Sequence, residues 1–85
     1  YVDAYCSRGT AHSQQGNFAQ AISDLSRAIT INPDIVEAYH NRGIAFYSAK
    51  EYDKAWRDVH KVEALGGVVH PKFLTELKKT SGREE

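Results

Sequence analysis

Residues 2–35 of this chain are written again, 34 positions later, as residues 36–69. Eight positions coincide between the two copies: Val2/Val36, Ala4/Ala38, Tyr5/Tyr39, Arg8/Arg42, Gly9/Gly43, Ala11/Ala45, Ala21/Ala55 and Asp24/Asp58. Chance with ordinary composition gives roughly two. Similar residues also fall in register: Asp3 with Glu37, Phe18 with Tyr52, Arg27 with Lys61, Ile31 with Leu65. A fixed period of this length marks stacked units, none of which can bury its apolar face alone.

Each period reads as two helices. From Val2 to Gln15 small and aromatic residues recur at helical spacing, and Gly16-Asn17 supplies a turn. From Phe18 the positions Ala21, Ile22, Leu25, Ala28 and Ile29 trace the buried stripe of a second helix. Asn32-Pro33 stops it, because proline lacks an amide donor and restricts the residue before it. Asp34 with Glu37 reads as a capping pair for the next helix. The second copy turns near Lys50-Glu51, continues from Tyr52 and ends at Gly66-Gly67, where positive φ is expected. A fifth helix follows, with Pro71 in its first turn, Phe73, Leu74 and Leu77 on one face, and Lys78-Lys79 near its end. The expected fold is all-α, a superhelical solenoid of about five helices forming one domain. Its parts are repeat one at 2–35, repeat two at 36–69, a capping helix at 71–80 and a polar tail at 81–85. Gly9 and Gly43 sit mid-helix, where glycine costs about 1 kcal/mol against alanine, so close packing by a neighbour is expected there. Ala11, Ala21, Ala45 and Ala55 argue the same from the other side of the contacts.

With 85 residues the chain holds one small domain. Eleven basic and eleven acidic side chains cancel, which gives no general attraction to nucleic acid. No apolar run approaches the roughly 20 residues of a membrane span, so membrane insertion is not expected. Cys6 is the only cysteine, which excludes an internal disulfide and a cysteine-rich zinc site. A lone free thiol suits a reducing compartment and favours the cytoplasm. The start at Tyr1 and the absence of methionine read as an excised or processed piece of a larger repeat protein.

The residues resemble the tetratricopeptide repeat, a 34-residue helix–turn–helix unit with the pattern W-x2-L-G-x2-Y, A-x3-F, P. The first copy meets it with Tyr5-x2-Arg8-Gly9-x2-His12, Ala21-x3-Leu25 and Pro33; the second with Tyr39-x2-Arg42-Gly43-x2-Phe46 and Ala55-x3-Val59. Tyr5, Gly9, Ala21, Ala28, Pro33, Tyr39, Gly43 and Ala55 are accordingly the expected structural positions. Arg8 and Arg42 stand where the pattern often has leucine, and Asp24 and Asp58 recur with them. Two intra-repeat pairs are inferred, Arg8–Asp24 and Arg42–Asp58. Gly67 replaces the second proline, and Glu63 stands opposite Ile29, so the second copy faces the chain end.

No catalytic, metal or cofactor motif is present: the four histidines lack ligand spacing, and there is no phosphate loop or nucleophile elbow. His12 reads as a core position, His60 as surface, His70 as a cap or turn. Cys6 and His40 are equivalent residues of successive first helices, with Asp3 and Glu37 one turn earlier. A thiolate–imidazole pair or metal site there would need a third ligand or an orienting group, and none is evident, so all four are read as groove lining. The family resemblance implies a protein or peptide partner bound in the trough of the first helices. Its lining here is Asp3, Cys6, Ser7, Thr10, Ser13 and Gln14, then Glu37, His40, Asn41, Ile44, Tyr47 and Ser48, with Leu74, Thr75 and Lys78 from the last helix. Family members that hold chaperone C-termini use a lysine, asparagine and arginine cluster, of which only Asn41 is matched, so that ligand is not expected. The acidic rim of Asp3 and Glu37 favours a neutral or basic peptide. The alternative is a homo-oligomer stacked through the open face of the first hairpin, with Tyr1, Val2 and Tyr5 at the contact.

Overall fold

The computed structural model describes residues 1–83. Five helices follow in order: α1 Val2–Gln14, α2 Phe18–Ile31, α3 Val36–Ser48, α4 Tyr52–Ala64 and α5 Pro71–Ser81. Among the described residues there is no strand. α1 and α2 form one hairpin, α3 and α4 a second, and α2 packs on α3 to join them.

Three helices end the same way, with two backbone N–H groups turned back on the last turn. Asn17 and Gly16 donate to the carbonyls of His12 and Ser13 after α1, Glu51 and Lys50 to Phe46 and Tyr47 after α3, and Gly67 and Gly66 to Val62 and Glu63 after α4. The motif needs a left-handed residue, supplied by Gly16 (φ 83°), Lys50 (φ 64°) and Gly66 (φ 84°). Lys50 takes this shape at a cost of about 1–2 kcal/mol. Gly67 has a separate role. A Cβ there would sit 2.5 Å from Val36 Cγ1 and 3.1 Å from Val62 Cγ1, so the second copy has room for neither proline nor alanine where the first has Pro33.

The start of α3 departs from expectation. Asp34 and Glu37 make no capping pair; the N-cap is Ile35, with no side-chain bond. Asn32 has intervened: its Oδ1 accepts the Asp34 N–H at 3.1 Å and closes a local turn before the helix begins. The polar tail also starts later than expected. Ser81 belongs to α5, where its Oγ accepts the Trp56 indole N–H at 3.0 Å and donates to Leu77 O at 2.6 Å. Residues 84–85 lie outside the described residues.

Both arginine–aspartate pairs form, each bidentate. Arg8 meets Asp24 at 2.8 and 2.9 Å, and Arg42 meets Asp58 at 2.8 and 2.7 Å. They close the two hairpins at equivalent heights, α1 to α2 and α3 to α4. Their surroundings differ. Arg42 also donates to Ser26 of α2 at 3.2 Å and lies over the rings of Tyr39 and Phe46. Its side chain is 20% exposed, whereas that of Arg8 is 57% exposed. The same contrast holds for the alanines: Ala38, packed against the first hairpin, and Ala45 are fully buried, while their equivalents Ala4 and Ala11 are exposed.

Two apolar clusters fill the stack. One is built on Cys6, Leu25, Ala28 and Ala38, where the hairpins meet. The larger one joins Tyr39, Trp56, Val59 and Val62 to Phe73 and Leu77 of α5. Gly9 permits the first hairpin to close, since a Cβ there would meet Leu25 Cγ at 2.7 Å and Ala21 O at 3.2 Å. Tyr39 is held in the second cluster with its hydroxyl donating to Pro33 O at 2.8 Å, so a buried polar group is satisfied. α5 thus closes the apolar end that α4 would otherwise expose.

Candidate functional site: the face of α1, α3 and α5

The first helix of each hairpin and α5 lie side by side, and three cavities follow one another along their seams. The smallest, about 140 Å³, lies between α1 and α3 and is lined by Thr10, Ser13, Gln14, Asn41 and Ile44. A second, about 320 Å³, lies between α3 and α5; His40, Ile44, Tyr47 and Ser48 face Lys72, Phe73 and Glu76 across it. The third, about 610 Å³, opens at the N-terminal ends of the same two helices and is lined by Val36, Glu37, His40, Val68, His70 and Pro71. Ile44 borders the first two, and His40 and His70 the last two, so the three lie next to one another on one grooved face.

The sequence-derived lining is brought together in part. Thr10, Ser13, Gln14, Glu37, His40, Asn41, Ile44, Tyr47 and Ser48 stand on this groove. Asp3 and Ser7 are exposed on α1, outside the cavities. Leu74 packs against the larger core cluster, Lys78 is half-buried, and Thr75 donates its hydroxyl back to Pro71 O. α5 offers Lys72, Phe73 and Glu76 instead. A second offset of 34 pairs these three with Ala38, Tyr39 and Arg42, none of which lines the cavities, so the repeat register carried no signal for them.

Cys6 is not a groove residue. It is 5% exposed and packs with Leu25, Ala28 and Ala38. Burial pushes its thiol pKa up, and the nearby Glu37 and Asp3 carboxylates add to the rise. A protonated thiol inside a core is the opposite of what a nucleophile needs. Among the described residues no three His, Cys, Asp or Glu side chains are placed to hold a metal.

Hydrogen bonds fix the groove floor. Asn41 Nδ2 donates to Thr10 Oγ1 at 2.9 Å, and Thr10 Oγ1 to Cys6 O at 2.9 Å, which ties α3 to α1. At the other seam the His70 N–H donates to His40 Nε2 at 3.1 Å, and His70 Nδ1 caps α5 by accepting from Lys72 N at 3.2 Å. Tyr47 packs edge-on against Phe73, with ring centroids 5.8 Å apart, and its hydroxyl meets Thr80 Oγ1 at 3.2 Å. His12, read from sequence as a core position, is half-buried outside the groove, its Nε2 3.7 Å from Asp24. His60 is a surface residue beside Trp56.

A stack of helical hairpins of this kind defines the chain as a helical-repeat protein. Residues 2–35 match the model of the tetratricopeptide repeat, and the same hairpin is built again from Val36 to Ala64. Human DnaJ homolog subfamily C member 7 is similar at 33% identity over 85 residues, covering 94% of this chain and 17% of that protein. Protein SGT1 homolog of Oryza sativa subsp. japonica is 34% identical over 54 residues (64% of this chain, 15% of its own length). Hsp70-Hsp90 organizing protein 3 of Arabidopsis thaliana is 30% identical over 54 residues (64% and 10%). The chain therefore spans 10–17% of the length of these relatives. No solved structure matches it.

The His40 acceptor bond has a pH consequence. Desolvation lowers the His40 pKa below its ordinary 6.5; the Asn41 hydrogen bond opposes this more weakly, and His70 adds to the lowering. The folded protein thus refuses a proton that the unfolded chain takes up. Stability from this group is complete above about pH 6.5 and falls as the pH drops below it. In urea unfolding, the wild type should lose more stability between pH 7.5 and pH 5.5 than His40→Gln, whose amide oxygen can accept the same bond without titrating. Equal losses in the two proteins would show that His40 does not set this slope.

Proposed function

We propose that the chain is a non-enzymatic protein-interaction module whose groove on α1, α3 and α5 receives an extended segment of a partner protein. The observation that carries this is the adjacency of the three cavities, which have Ile44, His40 and His70 as common borders and apolar walls interrupted by hydrogen-bonding groups. Such a mixture suits peptide recognition, in which pockets take side chains and polar groups fix register. One relative bears a name that makes it an organizer of Hsp70 and Hsp90. Here the Asn41 amide is already engaged by Thr10, and Cys6 is core, which argues against a cluster built for a chaperone carboxylate. A photo-crosslinking residue tests the groove directly. Placed at Ser48 it should capture partner protein from lysate of the source organism, and placed at Arg57, exposed on α4, it should not. Equal capture at both sites would remove the groove from the proposal.

The exposed Ala4 and Ala11, whose equivalents in the second hairpin are buried, support a second reading in which two copies meet through α1. Sedimentation equilibrium should then show a dimer at high concentration that Ala11→Arg abolishes. A wild type that stays monomeric throughout would dismiss self-association.

A further inference from the structure

We infer that the groove selects a partner segment carrying an apolar side chain and, four to five residues away, a lysine or arginine. This rests on the groove reading above and adds the chemistry of its occupant. The smaller α3–α5 cavity is walled by Ile44, Tyr47 and Phe73 and takes the apolar anchor. The larger one differs in kind. Its walls are apolar, including Val68 at 84% exposure, but a carboxylate stands in its rim, that of Glu37. A long aliphatic stem ending in a cation fits such a site, with the stem on Val36, Val68 and Pro71 and the head at the carboxylate.

The local field has the sign this requires. Glu37 and Asp3 form no ion pair with any described residue. Glu37 lines the larger cavity itself, and Asp3 lies on the neighbouring α1, near enough that both carboxylates act on the Cys6 thiol. His40 and His70 each use a ring nitrogen as an acceptor and so bring no competing charge in that state. Lys72 and Glu76 offset one another in the smaller cavity. The spacing follows from the helix. Glu37 and Tyr47 are ten residues apart on α3, roughly 15 Å along the axis, which an extended chain spans in about four to five residues.

The test is selection from a random 12-residue peptide display library on the whole chain, followed by fluorescence anisotropy on the enriched peptides. Enriched sequences should pair Leu, Ile or Phe with Lys or Arg at the stated spacing. Glu37→Lys should weaken their binding at least threefold, as should raising NaCl from 50 to 500 mM. Glu63→Lys, the same charge change on α4, should leave it unaltered. Peptides without the cation, or indifferent to Glu37→Lys, would overturn the inference while the groove reading stands, provided Ser48→Trp still blocks them by filling the smaller cavity from its rim. Peptides that bind Ser48→Trp and Ile44→Asp as well as wild type, or a library that yields no binder, would overturn the groove reading and this inference with it.

Discussion

Arg42 is the side chain through which most of the stack is connected. It stands on α3, holds Asp58 of α4 with two hydrogen bonds, and reaches Ser26 of α2 with a third nitrogen. Asp58 is 3% exposed, so its charge is tolerated only because the guanidinium meets both oxygens. One planar cation therefore sets how α2, α3 and α4 lie relative to one another. The groove depends on the result, since α3 supplies the wall shared by all three cavities.

The first copy carries the same pair in a different setting. Arg8 holds Asp24 with equal geometry and keeps that carboxyl below the usual range, chiefly through the hydrogen bonds themselves. Yet Arg8 is largely solvated, and solvation screens such pairs. Identical residues thus contribute differently because one hairpin has a neighbour on that side and the other does not. This is also why Ala38 is buried while Ala4 is not. Context, not the motif, sets the energetic weight of a repeated position.

Much of the fold was legible because repetition doubles every signal. The two arginine–aspartate pairs, the five helices and the turn at Gly16 are all legible in the sequence. What failed did so for local reasons. Asp34 does not cap α3 because the helix starts one residue later, with Ile35 as its N-cap, and the Asp34 N–H that Glu37 would have bonded is held by Asn32. By contrast the turn expected near Lys50-Glu51 is present: Lys50 adopts the shape that glycine takes at the equivalent Gly16, although lysine carries no turn chemistry of its own. Cys6 was assigned to the groove from its equivalence with His40, but α2 and α3 close over it, whereas His40 lies at the more open seam with α5. On α5 the residues facing the groove are Lys72, Phe73 and Glu76. Carrying the register of α3 directly onto that helix selects Leu74 and Lys78, which lie on its other rows.

If Arg42 organises the stack, removing it must cost more than removing its twin. Urea unfolding of Arg42→Ala against Arg8→Ala measures this directly. Loss of a buried partner typically costs 3–5 kcal/mol, and with a fifth of the Arg42 side chain exposed about 2–4 kcal/mol is expected, with a clearly smaller loss for Arg8→Ala. A loss for Arg8→Ala equal to or greater than that for Arg42→Ala would contradict the account.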